Sequence, residues 1–119
     1  MTNHFGQKIR ELREQQNLLL RQVAPLLEMD TPLLSKIERG QRAVKKEIIP
    51  QLATILHADE SELSTLWLAD QLMNTIGNIK HAEKALKLVS NNIKTKKYEK
   101  ISFNFVLSGF FFHVWTSHF

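Results

Sequence analysis

The sequence predicts an all-α fold built from short amphipathic helices. Apolar side chains recur at helical spacing near the start of the chain, at Phe5, Ile9 and Leu12. Between residues 20 and 39, the apolar and small positions fall where two short helices that cross over a tight turn would bury them. A chain of 119 residues is long enough for a single core with an appendage. We therefore predict one five-helix domain followed by a helical extension.

The first predicted helix runs from about Thr2 to Gln16, and the next two form the pair at residues 20–39. The positions expected to be buried in this pair are Val23, Ala24, Leu27, Met29, Leu34 and Ile37. Asp30 has a short acceptor side chain that can cap the second helix, and Pro32 lies in its first turn, where a missing N–H breaks no hydrogen bond. The second helix of the pair is therefore predicted to begin near Thr31.

A fourth helix is predicted from about Glu47 to Leu56 with three inward residues, Ile48, Leu52 and Leu56. The sequence Asp-Glu-Ser-Glu at residues 59–62 has the form of a capping box and predicts a further helix that opens at Asp59. The apolar face of that helix continues to Ile76, beyond the length that the domain core needs. Another surface is therefore expected to cover the end of this face.

A last amphipathic helix is predicted from about Asn78 to Lys94. Its apolar face consists of Ile79, Ala82, Leu86, Val89 and Ile93. This helix either thickens the core of a monomer or packs against a second subunit, and the surplus of apolar face favours a homodimer. The predicted organisation is a domain over residues 1–68, a dimerising extension over 69–94 and a tail over 95–119.

The tail consists of a basic stretch and a charge-free, aromatic-rich segment from Ile101 to Phe119. The charge-free segment has the length of a membrane-spanning helix, but Asn104, His113 and His118 make its insertion costly. We therefore expect no membrane partner, and we expect the tail to be buried or disordered and dispensable for recognition.

Composition argues against several functional classes. The chain has no cysteine, so it has neither a disulfide framework nor a thiolate zinc site. Its five histidines are scattered singly, no glycine-rich phosphate loop occurs, and Ser35 has no base beside it in the sequence. We therefore predict no enzymatic activity, no metal, no cofactor and no small-molecule ligand. The first residues lack the apolar stretch of a signal peptide, which predicts a cytoplasmic location.

The net charge of +4 is unevenly distributed. Residues 1–57 carry +3, residues 58–83 carry −4 and residues 84–100 carry +5. In the first block, five basic residues cluster at and just after the second helix of the pair: Lys36, Arg39, Arg42, Lys45 and Lys46. A solvated basic loop alone would explain such a cluster. Next to the paired helices, the cluster instead indicates a surface for the phosphate backbone of a nucleic acid.

Three stretches together resemble one family of DNA-binding domains. They are GQKIRELRE in the first helix, VAPLLEMDTPLLSKIERG over the helix pair and IIPQLATILHADESEL over the last two helices of the domain. On these motifs, the run from Phe5 to Leu66 is similar to the Xre or lambdoid-phage-repressor class, whose helix-turn-helix domains have five helices. The resemblance covers about half of the chain.

The resemblance implies which residues face DNA. The helix from Thr31 to about Glu38 would lie in the major groove. The residues that would face the bases are Thr31, Leu33, Ser35 and Lys36. Of these, Lys36 would be the reader of guanine. The loop after Gly40 would run along the backbone, and the residues that would contact phosphates are Arg39, Arg42, Lys45 and Lys46.

The resemblance also implies an ion pair between Arg13 and Glu38, which would tie the first helix to the end of the reading helix. The chain departs from the family pattern at Leu19 and Leu20, where a capping Ser or Thr and a phosphate-contacting Gln are usual. It departs again at Glu28, where the turn usually holds glycine. Part of the grip on the backbone is therefore expected to come from other residues.

These observations predict a sequence-specific regulator of transcription that binds double-stranded DNA and acts as a dimer by occupying an operator. A controller of a neighbouring restriction-modification or toxin-antitoxin operon would share this fold and is an alternative. A second alternative is a protein-interaction module that uses the helix pair only as a scaffold. The apolar run from Leu18 to Leu20 and the exposed position expected for Pro32 favour that second alternative.

Overall fold

The computed structural model describes residues 2–77 and 79–107, with side chains as far as residue 96. These residues form helices α1 His4–Gln15, α2 Leu20–Val23, a 3-10 helix at Ala24–Leu27, α3 Thr31–Glu38, α4 Ile48–Leu56, α5 Glu60–Ile76 and α6 Ala82–Leu107. The chain divides into one compact unit over Met1–Gly77 and a second over Asn78–Phe119. The predicted all-α fold is confirmed.

The core of the first unit is formed by apolar side chains from every helix between α1 and α5. Its buried members are Phe5, Ile9, Val23, Ala24, Leu27, Leu34, Ile37, Val44, Ile49, Leu52, Ala53, Leu56 and Leu63. All interior positions predicted for the helix pair are among them except Met29, which packs half-buried against this core. The helix pair therefore buries the face that its sequence pattern predicts.

The chain changes helix type between the two helices of the pair. The helix α2 makes a single turn, and the 3-10 helix that follows carries Pro25 in its own first turn, where the missing N–H is tolerated. Glu28 then adopts a left-handed backbone with φ of 55°. This conformation turns the chain toward α3, although a residue with a Cβ adopts it less readily than glycine.

The helix α4 begins one residue later than predicted and buries a different isoleucine. Ile49 is buried, whereas Ile48 is only half-buried. The buried residues of α4 are Ile49, Leu52, Ala53 and Leu56. Because these positions follow the spacing i, i+3, i+4 and i+7, they share one face, and Ile48 lies at its edge. The predicted inward position of Ile48 is therefore wrong.

Asp59 caps α5 as predicted, whereas Glu62 contacts a different element from the one that a capping box assigns. The carboxylate of Asp59 accepts the N–H of Ser61 at 3.1 Å, and the helix begins at Glu60. Oε1 of Glu62 lies 3.2 Å from Nζ of Lys8. Glu62 thus links α5 to α1.

A second carboxylate of α5 caps α1 across the domain. The buried Asp70 accepts the N–H of His4 at 3.1 Å and the N–H of Phe5 at 2.9 Å, and it lies 3.0 Å from Nδ1 of His4. Burial by itself would raise the pKa of Asp70, but the hydrogen bonds from Phe5 and His4 lower it below its ordinary value of 3.8. Because Asp70 belongs to this contact, the first unit extends to Gly77 and not to residue 68.

The helix α6 extends beyond its predicted end at Lys94 to Leu107. Four of the residues predicted for its apolar face are exposed: Ile79, Leu86, Val89 and Ile93. Within the described ranges, no helix combines the length and the apolarity needed to cross a membrane. The predicted aromatic tail begins inside α6, and its part from residue 108 onward lies outside the described residues.

Candidate nucleic-acid interface

The helix α3 is fixed at its N-terminus by its own cap. The side chain of Asp30 accepts the N–H of Leu33 at 2.9 Å, and Pro32 occupies the second position of the helix. The cap pairs one of the N–H groups that a helix start leaves without a partner, and the proline needs none. The first turn of α3, which begins at Thr31 as predicted, is therefore ordered by local contacts.

The C-terminus of α3 packs closely on α1. Gly40 ends the helix in the left-handed conformation with φ of 75°. The side-chain amide of Asn3 donates to the carbonyl of Glu38 at 2.9 Å, which pairs an acceptor that the helix end leaves open. A Cβ on Gly6 would lie 2.6 Å from the carbonyl oxygens of Ile37 and Glu38, so only glycine allows this approach.

A buried ion pair completes this attachment. The guanidinium of Arg13 donates from Nε to Oε2 of Glu38 at 2.7 Å and from Nη2 to Oε1 at 3.0 Å, and its Nη1 donates to the carbonyl of Leu18 at 2.8 Å. Arg13 is 8% exposed and Glu38 is 5% exposed. The hydrogen bonds to Glu38 raise the pKa of Arg13 above its already high ordinary value, so Arg13 stays charged. Both backbone and side chains therefore join α3 to α1.

The exposed face of α3 consists of Pro32, Lys36 and Arg39. Their spacings of four and three residues place them on one side of the helix, with Lys36 in the middle. The other three residues predicted to face bases are half-buried: Thr31, Leu33 and Ser35. Leu33 packs against the core, so only part of its side chain is open to a partner.

Arg39 lies on the same face as Lys36, although the sequence assigned it to the phosphate contacts. Its Nε donates to the carbonyl of Ser35 at 3.3 Å, which directs the side chain back along α3. Arg39 is therefore placed to contact the same part of a partner as Lys36. Pro32 and Arg39 are the two exposed α3 residues that the predicted base-facing set omitted.

The loop after α3 holds the other predicted phosphate contacts, and Arg42, Lys45 and Lys46 are all exposed. Between them, Val44 is buried, and its carbonyl accepts the indole N–H of Trp67 at 3.0 Å. This contact anchors the loop to α5. In the described part of the chain, no carboxylate forms an ion pair with these three residues or with the exposed cations of α3.

The helix α2 contributes a basic residue that the sequence analysis missed. Arg21 is exposed and lines an open depression together with Leu19, Leu20 and Thr31, at the start of α3. The signal that could have identified it is a basic residue in the first helix of the pair. Next to it, Oε1 of Gln22 accepts the N–H of Leu19 at 2.8 Å, so a glutamine supplies part of the capping that Leu19 lacks.

The exposed cations of α3 and of its following loop therefore form one basic surface on the first unit. Such groups donate hydrogen bonds to phosphate oxygens and to the edges of bases. Within residues 2–77 and 79–107, no group of three His, Asp or Glu side chains is arranged to hold a metal ion. The arrangement is suited to binding a polyanion.

Comparison with known proteins identifies the same segment. A family model described as a helix-turn-helix domain matches residues 4–66. A search of curated proteins and a search of solved structures returned no significant match. The matched segment spans more than half of the chain and runs from α1 into α5. The chain therefore belongs to the helix-turn-helix domain family.

Proposed function

We propose that this helix-turn-helix protein is a regulator of transcription of the Xre or lambdoid-repressor class, which binds a specific double-stranded operator as a cytoplasmic dimer. One observation carries the proposal: α3 presents Lys36 and Arg39 on its exposed face, and the basic loop continues directly from it. In helix-turn-helix proteins, the second helix of the pair enters the major groove. Regulation would follow from occupancy of the operator.

Most of the affinity would come from the loop. Arg42, Lys45 and Lys46 are exposed and are held beside the reading helix by the anchored Val44. Each phosphate that such a cation neutralises releases counterions and adds roughly −0.9 to the slope of log K against log salt. Binding is therefore expected to weaken steeply as the salt concentration rises.

Sequence preference would come from the exposed face of α3. Lys36 can donate to O6 and N7 of guanine, and the hydroxyl of Ser35 can reach a base edge or a phosphate. The open part of Leu33 can contact a thymine methyl group. Because Gly6 and the pair of Arg13 with Glu38 attach α3 firmly to α1, these groups need little reorganisation to bind.

Alanine variants of three lysines test these roles. A consensus site is first selected from random duplexes, and binding to it and to a scrambled duplex is then measured at several salt concentrations. Lys36→Ala should cost about 1–3 kcal/mol on the consensus and relax the preference at one base pair of each half-site. Lys45→Ala should weaken binding to both duplexes alike and reduce the salt slope by about 1.

Lys84→Ala is the matched control, because Lys84 is an exposed lysine of α6, outside the helix-turn-helix domain. It should leave affinity, base preference and salt slope close to those of the parent protein. Equal losses in all three variants on both duplexes would show that Lys36 reads no base.

A protein-interaction module on the same scaffold is the second candidate. Leu19 and Leu26 favour it, since they are 46% and 63% exposed on the helix pair. A protein that binds neither the random pool nor any selected duplex at low salt would support this candidate. A controller of a restriction-modification or toxin-antitoxin operon would instead bind DNA as proposed, with its site next to such an operon.

A further inference from the structure

The helix α6 carries a narrow apolar seam. Its members, including Ile79 just before the helix, are Ile79, Ala82, Leu86, Val89 and Ile93. Their spacings alternate strictly between three and four residues, which is the heptad pattern with Ile79, Leu86 and Ile93 at a positions. At 100° per residue, the seam covers an arc of only about 80°, narrower than the face that a helix buries in a globular core.

The charges of α6 lie away from this seam. Lys80, Lys87 and Lys94 recur every seven residues at b positions, and Lys84 is at an f position. The positions that flank the seam, e and g, hold Glu83, Ala85, Ser90 and Asn92. A second α6 could therefore meet the seam without bringing lysines together, although the helix as a whole is basic. Lysine returns to the seam at residues 96 and 100, which limits the contact to about two heptads.

We propose that α6 pairs with α6 of a second copy of this chain as a parallel, two-stranded coiled coil over residues 79–93. The seam is unoccupied within the chain, since Leu86 is 39% exposed and Ile93 is 61% exposed. The parallel direction rests on the proposed function. It brings the two Gly77 residues together at one end, from which the two DNA-binding units can reach half-sites about 34 Å apart. An antiparallel pair would separate them by the length of the seam, about 21 Å, plus the chain that precedes it.

A pair of leucine substitutions tests the seam in the full-length chain. Leu86→Lys should raise the dissociation constant of the dimer by more than about tenfold, because it removes a buried leucine and adds two facing charges. Leu88→Lys is the matched control: Leu88 is two residues away, off the seam, and more exposed at 65%. It should change the constant less than about twofold. Equal effects of the two substitutions in sedimentation would overturn the proposed seam.

Cysteine cross-linking tests the direction, since the chain has no cysteine of its own. Under mild oxidation, Ile93→Cys should form disulfide-linked dimers, and Leu88→Cys should form few. An antiparallel pair would instead link Ile93→Cys to Ile79→Cys in a mixture of the two variants, and this result would contradict the proposal. A parent chain that stays monomeric at micromolar concentration would contradict it too, even where it still binds the selected site. Cross-linked dimers that bind no duplex would support the seam and refute the proposed function alone.

Discussion

The attachment of α3 to α1 predicts a large loss of stability in Arg13→Ala. This substitution leaves the carboxylate of Glu38 buried at 5% exposure without its partner, and it removes the donor to the carbonyl of Leu18. Removing one partner of a buried pair costs about 3–5 kcal/mol. With a slope of about 1–1.5 kcal/mol per molar urea for a small domain, the urea midpoint should fall by about 2 M or more.

Arg10→Ala is the control for this experiment. Arg10 donates to Glu14 at 2.9 Å on the same helix, but the two side chains are 60% and 54% exposed. Water already solvates such a pair, so the midpoint should hardly move. Circular dichroism during urea titration measures both variants.

A double variant separates the buried charge from simple loss of packing. Arg13→Met with Glu38→Leu removes both charges and keeps apolar volume, so much of the lost stability should return. An unchanged midpoint in Arg13→Ala would show that the pair does not stabilise the domain. A double variant that is weaker than Arg13→Ala would show that the cost does not arise from an uncompensated charge.

Three further predictions concern other parts of the chain. Asp70→Asn should lower stability at pH 7 by about 1 kcal/mol, and the difference should vanish below about pH 3, because a carboxyl with a lowered pKa stabilises above its unfolded pKa and loses this effect as the pH falls through the folded one; a constant difference across this range in thermal melts would contradict the prediction. Glu28→Gly should raise the free energy of unfolding by up to about 1 kcal/mol, because φ at this residue is 55°, and a loss would show that the Glu28 side chain contributes more than the backbone strain costs. A chain ending at Lys100 should bind the selected site with unchanged affinity and aggregate less, and failure of this shortened chain to fold would show that the segment from Ile101 completes a core.

Local patterns predicted the fold of the first unit well. The interior of the helix pair follows from the spacing of small and apolar residues, and the start of α3 follows from Asp30 and Pro32. Both are determined by neighbours within one or two turns. Ile48 was misassigned because α4 begins one residue later than its sequence suggests, and such a shift moves the whole inward face.

Contacts between distant residues escaped the sequence analysis. Asp70 lies 66 residues from His4, and nothing near it in the sequence indicates that it caps α1. The half-burial of Leu33 also depends on the core beneath α3 and not on the pattern of α3 alone. The pair of Arg13 with Glu38 was expected only through the family resemblance, because 25 residues separate the two side chains.

Selection of bound sites from random duplexes tests the central claim most directly. The full-length protein is incubated with the pool at low and at moderate salt, and the bound fraction is sequenced over several rounds. The proposed function predicts a palindromic consensus whose half-sites lie about 10 base pairs apart, centre to centre, and whose enrichment persists at the higher salt. Enrichment of no consensus at either salt concentration would contradict the assignment of this helix-turn-helix surface as a reader of DNA sequence.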